Sequence, residues 1–595
     1  MSRSAFRAHS LVLRHVQVRR VEDITPRMRR ITVGGEELGA FARDGMSFPA
    51  FAPPAFDDHV KLIFAPGGDI ADALPRQNAN GIDWLPSEHR VTRDYTPHHV
   101  DADVLEAQFD FVVHTDGQVA NGPAEEWARA AVPGSDLWFV GPKASLVLPD
   151  DVAELILIGD ETALPAITRF FDERPLDIPV HALITVATEA AIQAIATRPG
   201  DSADFVVAQP GDAEALLAAA QKLTPGEGPV YVWAAAESRA LLPVRRHAKR
   251  EWAIPKSHMA ITGYWHVREE SDADAATAEE AAGPVATPIT SPVPWLATRA
   301  ALKLGLLTEV ALEPAPRDTL ERRANVTAGQ LDPLLAILVD CDILRVDADH
   351  YRAGAVGDAL LDDEHAQEEF VGLYADQVVA LGDLADGLGA GGTGWATRTG
   401  NTLRDTVTAS SSEYAELVDE AEGLRFLMPA LSRLPFWADR SRIALGGPSA
   451  LVVADGLRIA EIAAELVVVE DPEPLRALRE SWDSDDLTFA DTWPADTPIL
   501  LASALEHRTD AEVLAHLDDL RTVTDTVYLM ESTELDGLNA RAAEQALVTL
   551  GAIGVPPRNL ADLGRLVAQA GWSVASTSPL GWGVECLELV PAERN

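Results

Sequence analysis

Apolar and polar positions alternate in short runs over the first part of the chain, at Leu11–Val18, Met28–Val33, His59–Phe64 and Phe109–His114, with Gly- and Pro-bearing turns between them. Successive side chains on a strand point to opposite faces, so each run has one face to bury and one to wet. Several strands at this spacing predict a small antiparallel β-barrel over residues 10–150. From Leu155 the period changes. Leu155–Ile158 is wholly apolar, and Gly159 to Pro165 opens a helix reaching about Phe171. Strands follow at His181–Val186, Phe205–Val207, Val230–Ala234 and Met259–Trp265, with helices at Ala213–Leu223 and Ser238–Trp252. Apolar strands alternating with helices predict a parallel α/β nucleotide-binding domain over 151–268, its ligand at the C-terminal edge of the sheet. No Gly-x-Gly-x-x-Gly fingerprint is present, so the pattern alone does not specify a dinucleotide.

Residues 269–294 are acidic, then Pro-rich, with no periodic apolar face, and read as a linker. The pattern then starts again. Helices at Trp295–Val310, Thr319–Ala324 and Thr327–Cys341, followed by a hairpin over Ile343–Tyr351, predict a winged helix over 295–360. A helical connector spans 361–440. Strands at Arg442–Leu445, Leu466–Glu470, Leu487–Ala490, Ile499–Ala502, Val527–Glu531, Trp572–Ser576 and Val584–Val590 predict a Rossmann-like α/β domain over 441–595. The expected fold class is therefore multidomain.

Charge separates the two halves. The chain of 595 residues carries a formal charge of −45, yet residues 1–270 hold 26 Lys+Arg against 38 Asp+Glu, and the remainder 22 against 55. Strong acidity in the second half disfavours nucleic acid and anionic membranes as partners, and turns the winged helix from DNA reading towards a homodimer through the C-terminal half. The two cysteines, Cys341 and Cys586, exclude a disulfide framework and a thiolate metal cluster, so no metal site is expected. No signal-peptide core or membrane-length apolar run occurs, which predicts a cytoplasmic protein without membrane insertion.

Candidate chemistry begins at Arg93-Asp-Tyr-Thr-Pro97. An arginine, an aromatic and a hydroxyl are expected on one face of an extended strand, where Tyr95 could pack on a flavin ring, Thr96 could bond its edge near N5, and Arg93 could neutralise a phosphate. The plain alternative is an ordinary strand. Gly122-Pro123-Ala124 opens a helix whose free amides form an anion site suited to a pyrophosphate, or simply cap a surface helix. His114 could touch the adenosine side or be structural. The basic run Arg245 to Arg250, with Lys256, His258 and Arg268, is either a solvated helix face or a site for an anionic substrate, with Lys256 and Arg268 flanking the last strand.

Six motifs occur in order: Arg93-x-Tyr-Thr-Pro97; His114 with Gly122-Pro-Ala-x-x-Trp-Ala128; Pro133-Gly134 with Gly141-Pro142; Gly159-Asp-Glu-Thr-Ala-Leu-Pro165; Trp233-x-x-x-Glu237; and Gly263-Tyr-Trp265. Residues 10–268 thereby resemble the siderophore-interacting protein family, flavin-dependent ferric-siderophore reductases related to ferredoxin reductases. The resemblance implies a ferredoxin-reductase-type FAD barrel and an NAD(P)H domain, with hydride passing to the flavin and single electrons to a ferric siderophore. It implies that Arg93, Tyr95 and Thr96 hold the flavin, and that His114 and Gly122–Ala124 hold the rest of FAD. Asp160, Glu161, Thr162, Trp233, Glu237 and Ser238 would border the nicotinamide. The expected catalytic residues are Thr96 and, from the basic cluster, Lys256 and Arg268. Three positions depart from the family: His98 and His266 where arginine is usual, and Ala236 where glycine is usual.

Residues 295–591 resemble class I S-adenosylmethionine-dependent O-methyltransferases. The resemblance implies Glu470 or Asp471 at a ribose diol and Asp491 at adenine. It offers the alternative of a bifunctional protein that methylates a small hydroxylated metabolite, or of a non-catalytic siderophore-binding protein. The glycine-rich cofactor loop of that family appears as Ala444-Leu-Gly-Gly-Pro-Ser-Ala450, and Glu506 replaces the usual histidine base. His507 could serve as base from the next position or simply begin a helix in solvent.

Overall fold

The computed structural model describes residues 5–113, 122–266 and 291–592, apart from positions 312, 328, 363, 438, 439, 483, 485 and 540. The linker expected over 269–294 therefore lies almost wholly outside the described residues.

An antiparallel sheet forms the first unit, in the order Pro97–Asp101, Glu106–Val112, Met28–Gly34, Leu13–Thr25, Asp136–Val140, Val60–Phe64, Val91–Tyr95. Its two outermost strands are consecutive in the chain and joined by Thr96 alone, so the sheet rolls up and Thr96 sits at the seam. Val16, Ile31, Leu62, Phe109, Phe111 and Phe139 fill the interior, as the alternating pattern requires. The helix Pro123–Ala130 closes one end with Ala124 and Ala128.

The second unit is a five-stranded parallel sheet in the order Ser202–Val207, Val180–Val186, Glu154–Gly159, Val230–Glu237, Met259–Trp265. Every residue of Glu154–Gly159 and of Val230–Glu237 is buried, because helices cover both faces. Helix Leu164–Glu173 lies against strand Pro97–Asp101 of the barrel: Arg169 donates to the Pro53 carbonyl at 2.7 Å, and Thr168 Oγ1 stands 3.1 Å from His98 Nδ1.

The second half begins with helices at Val293–Lys303, Leu306–Val310, Arg317–Ala324 and Asp332–Asp340 and a three-stranded antiparallel sheet of 315–316, 350–353 and 344–347. The helix expected over Trp295–Val310 is two helices, because Gly305 turns the chain with φ +69°. The helix expected from Thr327 starts at Asp332, after a turn at Gly329 with φ +87°.

Short helices lead to a seven-stranded sheet in the order 488–490, 465–469, 442–446, 499–502, 527–532, 584–591, 572–581. Its first five strands are parallel, and the last hairpin is antiparallel. This is a mixed α/β region built on a largely parallel sheet.

The two halves are joined by hydrogen bonds from main-chain amides. The loop and short strands from Arg76 to Trp84, which leave the barrel, meet the hairpin turn at 579–585. Trp582 N donates to the Ile82 carbonyl at 2.7 Å, Gly583 N to Asp83 Oδ1 at 3.0 Å, and Gly537 N to the Trp84 carbonyl at 2.8 Å. Gly537 permits this approach, since a Cβ there would stand 2.2 Å from the Trp84 carbonyl. Lys143 lies over the rings of Phe426 and Trp582 at 4.1 and 5.1 Å. Arg246, in the basic run, pairs with Asp358 at 3.3 Å, so part of that run faces the second half.

Candidate functional site

The barrel seam places its three candidates differently from a regular strand. Arg93 is exposed and bonds only the Thr92 carbonyl, with no carboxylate partner among the described residues. Tyr95 packs its ring 4.5 Å from Phe111, and burial holds its hydroxyl well above the usual range. Thr96 is buried, and its Oγ1 has only the Tyr264 hydroxyl beside it, without a well-formed hydrogen bond. The expectation that all three share one face fails here. Thr96 follows Tyr95 directly, so alternation turns it to the other side, towards the hydroxyl of Tyr264.

Tyr264 comes from the last strand of the parallel sheet and brings that domain to the seam. Beside it lies Asp57, from the loop before strand Val60–Phe64. Trp233 Nε1 donates to Asp57 Oδ2 at 3.2 Å, whereas Asp57 Oδ1 is buried without a partner. Burial, with Asp58 adjacent, pushes the Asp57 carboxyl up to about 6. Trp233 also meets Phe56 and Tyr264 edge-on, at 5.5 and 6.4 Å between centroids. Two buried polar atoms, on Thr96 and Asp57, thus converge on one junction.

At the C-terminal edge of the parallel sheet, Asp160 ties three strands together. Its Oδ1 accepts from Thr162 N and Oγ1 at 2.8 and 2.5 Å, and its Oδ2 from Glu237 N and Trp265 Nε1 at 3.1 and 2.7 Å. Burial raises its carboxyl against those four donors. Glu237 is buried and accepts from Ala240 N at 2.8 Å, in the turn before the following helix. Ser238 bonds the Trp265 carbonyl. Glu161 is turned away to the barrel, where Arg27 Nε stands 3.1 Å from both its oxygens.

The structure therefore brings Thr96, Asp160, Thr162, Trp233, Glu237 and Ser238 to one domain junction. It does not bring Lys256 there: Lys256 precedes strand Met259–Trp265, at the N-terminal end of a parallel sheet. Seven residues at about 3.3 Å each put it roughly 20 Å from the other edge. Gly122, Pro123 and Ala124 start their helix as expected, with Pro123 in its first turn and no side-chain cap. His114 and Arg268 lie outside the described residues. His98 is pushed down by burial and so supplies no fixed positive charge in place of arginine.

Sequence patterns missed Arg27, Asp57 and Tyr264. Tyr264 stood inside Gly263-Tyr-Trp265, where a motif signal existed; Arg27 and Asp57 carried none.

Family models for a siderophore-interacting FAD-binding domain and for a siderophore-interacting protein match residues 17–146 and 152–268. The NADPH-dependent ferric-chelate reductase of Escherichia coli (strain K12) is 32% identical over 263 residues, 44% of this chain and 95% of that relative. The chain belongs to the siderophore-interacting protein family. A second member, the ferric vibriobactin reductase of Vibrio cholerae, is 25% identical over 245 residues, 41% of this chain and 85% of that one. A solved siderophore utilization protein from T. fusca is 32% identical, covering 44% of this chain and 95% of that one, with a TM-score of 0.39. An O-methyltransferase from neocarzinostatin biosynthesis is similar at 20% identity, covering 52% of this chain and 100% of that one, with a TM-score of 0.42.

In the second half, Asp491 is exposed. His507, read as either a base or a solvent-facing helix start, is half-buried near Arg404 and Arg508, and burial with those cations pulls it down to about 4. Glu506 is exposed, whereas burial, with Glu506 nearby, raises Glu531, whose Oε1 accepts from Leu505 N.

Proposed function

We propose that the first half is an FAD-dependent reductase of ferric siderophores, using NADH or NADPH. The observation that carries this reading is the pair of buried polar atoms, Asp57 Oδ1 without a partner and Thr96 Oγ1 with only the Tyr264 hydroxyl beside it, at the junction of barrel and parallel sheet. A buried polar atom without a well-formed hydrogen bond costs free energy unless a ligand satisfies it, so these residues fit a flavin. FAD, when bound, would accept a hydride from the nicotinamide and deliver electrons to ferric iron. Thr96 would donate to or accept from the edge of the ring. Tyr95 would line the ring's side of the barrel, Arg93 would meet a phosphate with its free guanidinium, and the Gly122–Ala124 helix start, with His114, would hold the remainder. Asp160 fixes the sheet edge on which Thr162, Glu237 and Ser238 would orient the nicotinamide. Glu161, paired with Arg27, would act on the nucleotide only by holding the domains in register.

An anionic ferric chelate would meet Arg268, which follows the strand ending at Trp265; Lys256 is too distant on the sheet to share that task. The reading is completed by a cytoplasmic place of iron release, no nucleic-acid partner, and a homodimer through a winged helix at 295–360. Among the described residues no helix is long and apolar enough to cross a membrane. The test is anaerobic: protein loaded with FAD receives NADH or NADPH and then a ferric siderophore, while the flavin spectrum is followed. Bleaching by the nucleotide and recovery on adding the chelate are expected. Bound flavin that neither nucleotide bleaches would overturn the reading.

A further inference from the structure

Strand 442–446 of the seven-stranded sheet lies between 465–469 and 499–502. The strand order reverses between 442–446 and 499–502, and ligands of open α/β sheets occupy the crevice at such a point. Here side chains of the chain itself stand in that crevice. Glu470, just past strand 465–469, is the carboxylate that the fold would offer to a ribose diol. Its Oε1 accepts from Gly447 N at 2.8 Å and from the Tyr414 hydroxyl at 3.1 Å, and its Oε2 accepts from Arg404 at 3.2 Å. Arg404 also reaches Asp471 at 3.1 Å. The side chain of Glu470 is only 8% exposed, and Tyr414 is fully buried.

A diol would bring this carboxylate two O–H donors. Tyr414 and Arg404 already bring it two, one of them charged, in enclosed surroundings where such bonds are strong. Displacing them would strand a guanidinium and a phenol.

The glycine loop is filled in the same way. A Cβ on Gly446 would stand 2.6 Å from the ring of Trp493, so the body that comes close to this glycine is an indole of the chain. Gly447, at φ +95°, is pressed onto strand 499–502, with 2.2 Å between a Cβ built there and the Ala502 carbonyl. Pro448 has no amide to donate, and Ser449 spends its hydroxyl on Ser503 at 3.0 Å.

We infer that the second half has an internally filled cofactor cleft and does not bind S-adenosylmethionine, the Arg404–Glu470–Tyr414 network standing where a ribose would be held. The inference is independent of the reductase reading, because none of these residues touches the barrel seam or the parallel sheet.

The experiment uses the full-length protein. Isothermal titration with S-adenosylmethionine and with S-adenosylhomocysteine should show no saturable heat, and neither should raise the melting temperature at millimolar concentration. In parallel, Arg404→Met and the milder Tyr414→Phe should each lower the ligand-free melting temperature, since the network holds helices 403–408 and 411–421 onto the sheet. Saturable binding of either nucleoside would overturn the inference. So would variants that melt with the wild type, since residues waiting for a ligand contribute nothing before it arrives.

Discussion

Arg27 and Glu161 form a buried ion pair across the joint between the barrel and the parallel sheet, the arginine Nε standing 3.1 Å from each carboxylate oxygen. Their side chains are 3% and 9% exposed. Removing Arg27 leaves the Glu161 carboxylate buried without its counter-charge, which costs about 3–5 kcal/mol. Arg27→Met should therefore lower stability by that order in denaturant titration, and Arg27→Met/Glu161→Gln should recover much of the loss. A role for Glu161 confined to nucleotide contact would leave the ligand-free protein unchanged.

Thr96 offers a test in which affinity and stability move apart. Its buried hydroxyl has only the Tyr264 hydroxyl beside it and no well-formed hydrogen bond, so Thr96→Val should change the stability of the flavin-free protein little. The same change should weaken FAD binding by about 2–10-fold, the worth of one neutral hydrogen bond, measured by fluorescence quenching. Thr96→Ser should restore the affinity. Equal affinity in wild type and valine variant would remove Thr96 from the flavin site.

Asp57 carries a pH signature. Its carboxyl titrates at about 6 in the folded protein, raised from 3.8 by burial and by Asp58. A raised carboxyl favours the folded state while protonated, so this contribution is lost as pH climbs from about 4 through 6. The whole loss is at most about 3 kcal/mol. Asp57→Asn should flatten the fall in melting temperature over that window. A slope equal to the wild type's would place the titration elsewhere.

Glu585 makes the contact between the halves sensitive to a higher window. Burial, with Asp83 and Glu534 close by, raises its carboxyl from 4.5 to about 7, and Arg76 only partly offsets them. The contact should weaken as pH rises from about 4.5 through 7. Glu585→Gln should raise the melting temperature at pH 8 and do little at pH 4. A variant that melts earlier at pH 8 would show the charge to be favourable after all.

Much of the architecture was legible because burial imposes a period. The runs at Ile499–Ala502, Val527–Glu531 and Val584–Val590 read as strands, and the structure places strands at 499–502, 527–532 and 584–591. Periodicity also found the seam at Arg93–Pro97, but it could not show the seam's geometry. The turn of Thr96 away from Tyr95 follows from the interruption of the ladder, which no hydrophobic count records. Arg27 and Glu161 are 134 residues apart, and a pair at that separation leaves no local trace. The same holds for Arg404 and Glu470: each is an ordinary charged residue until the fold sets one against the other. Gly305 and Gly329, by contrast, were visible as breakers, and both helices that ran through them in the reading were cut there.

The bonds from Ile82, Asp83 and Trp84 to the 582–583 turn and Gly537 bear on how this protein can be handled. A protease that cuts only between 269 and 294 would sever the chain without separating its products. The fragments would elute together from a sizing column and part only in denaturant. Each half expressed alone would instead present Trp84, or Trp582 with Phe426, to water. Such a protein is one particle whose continuity does not depend on the peptide bond between its halves.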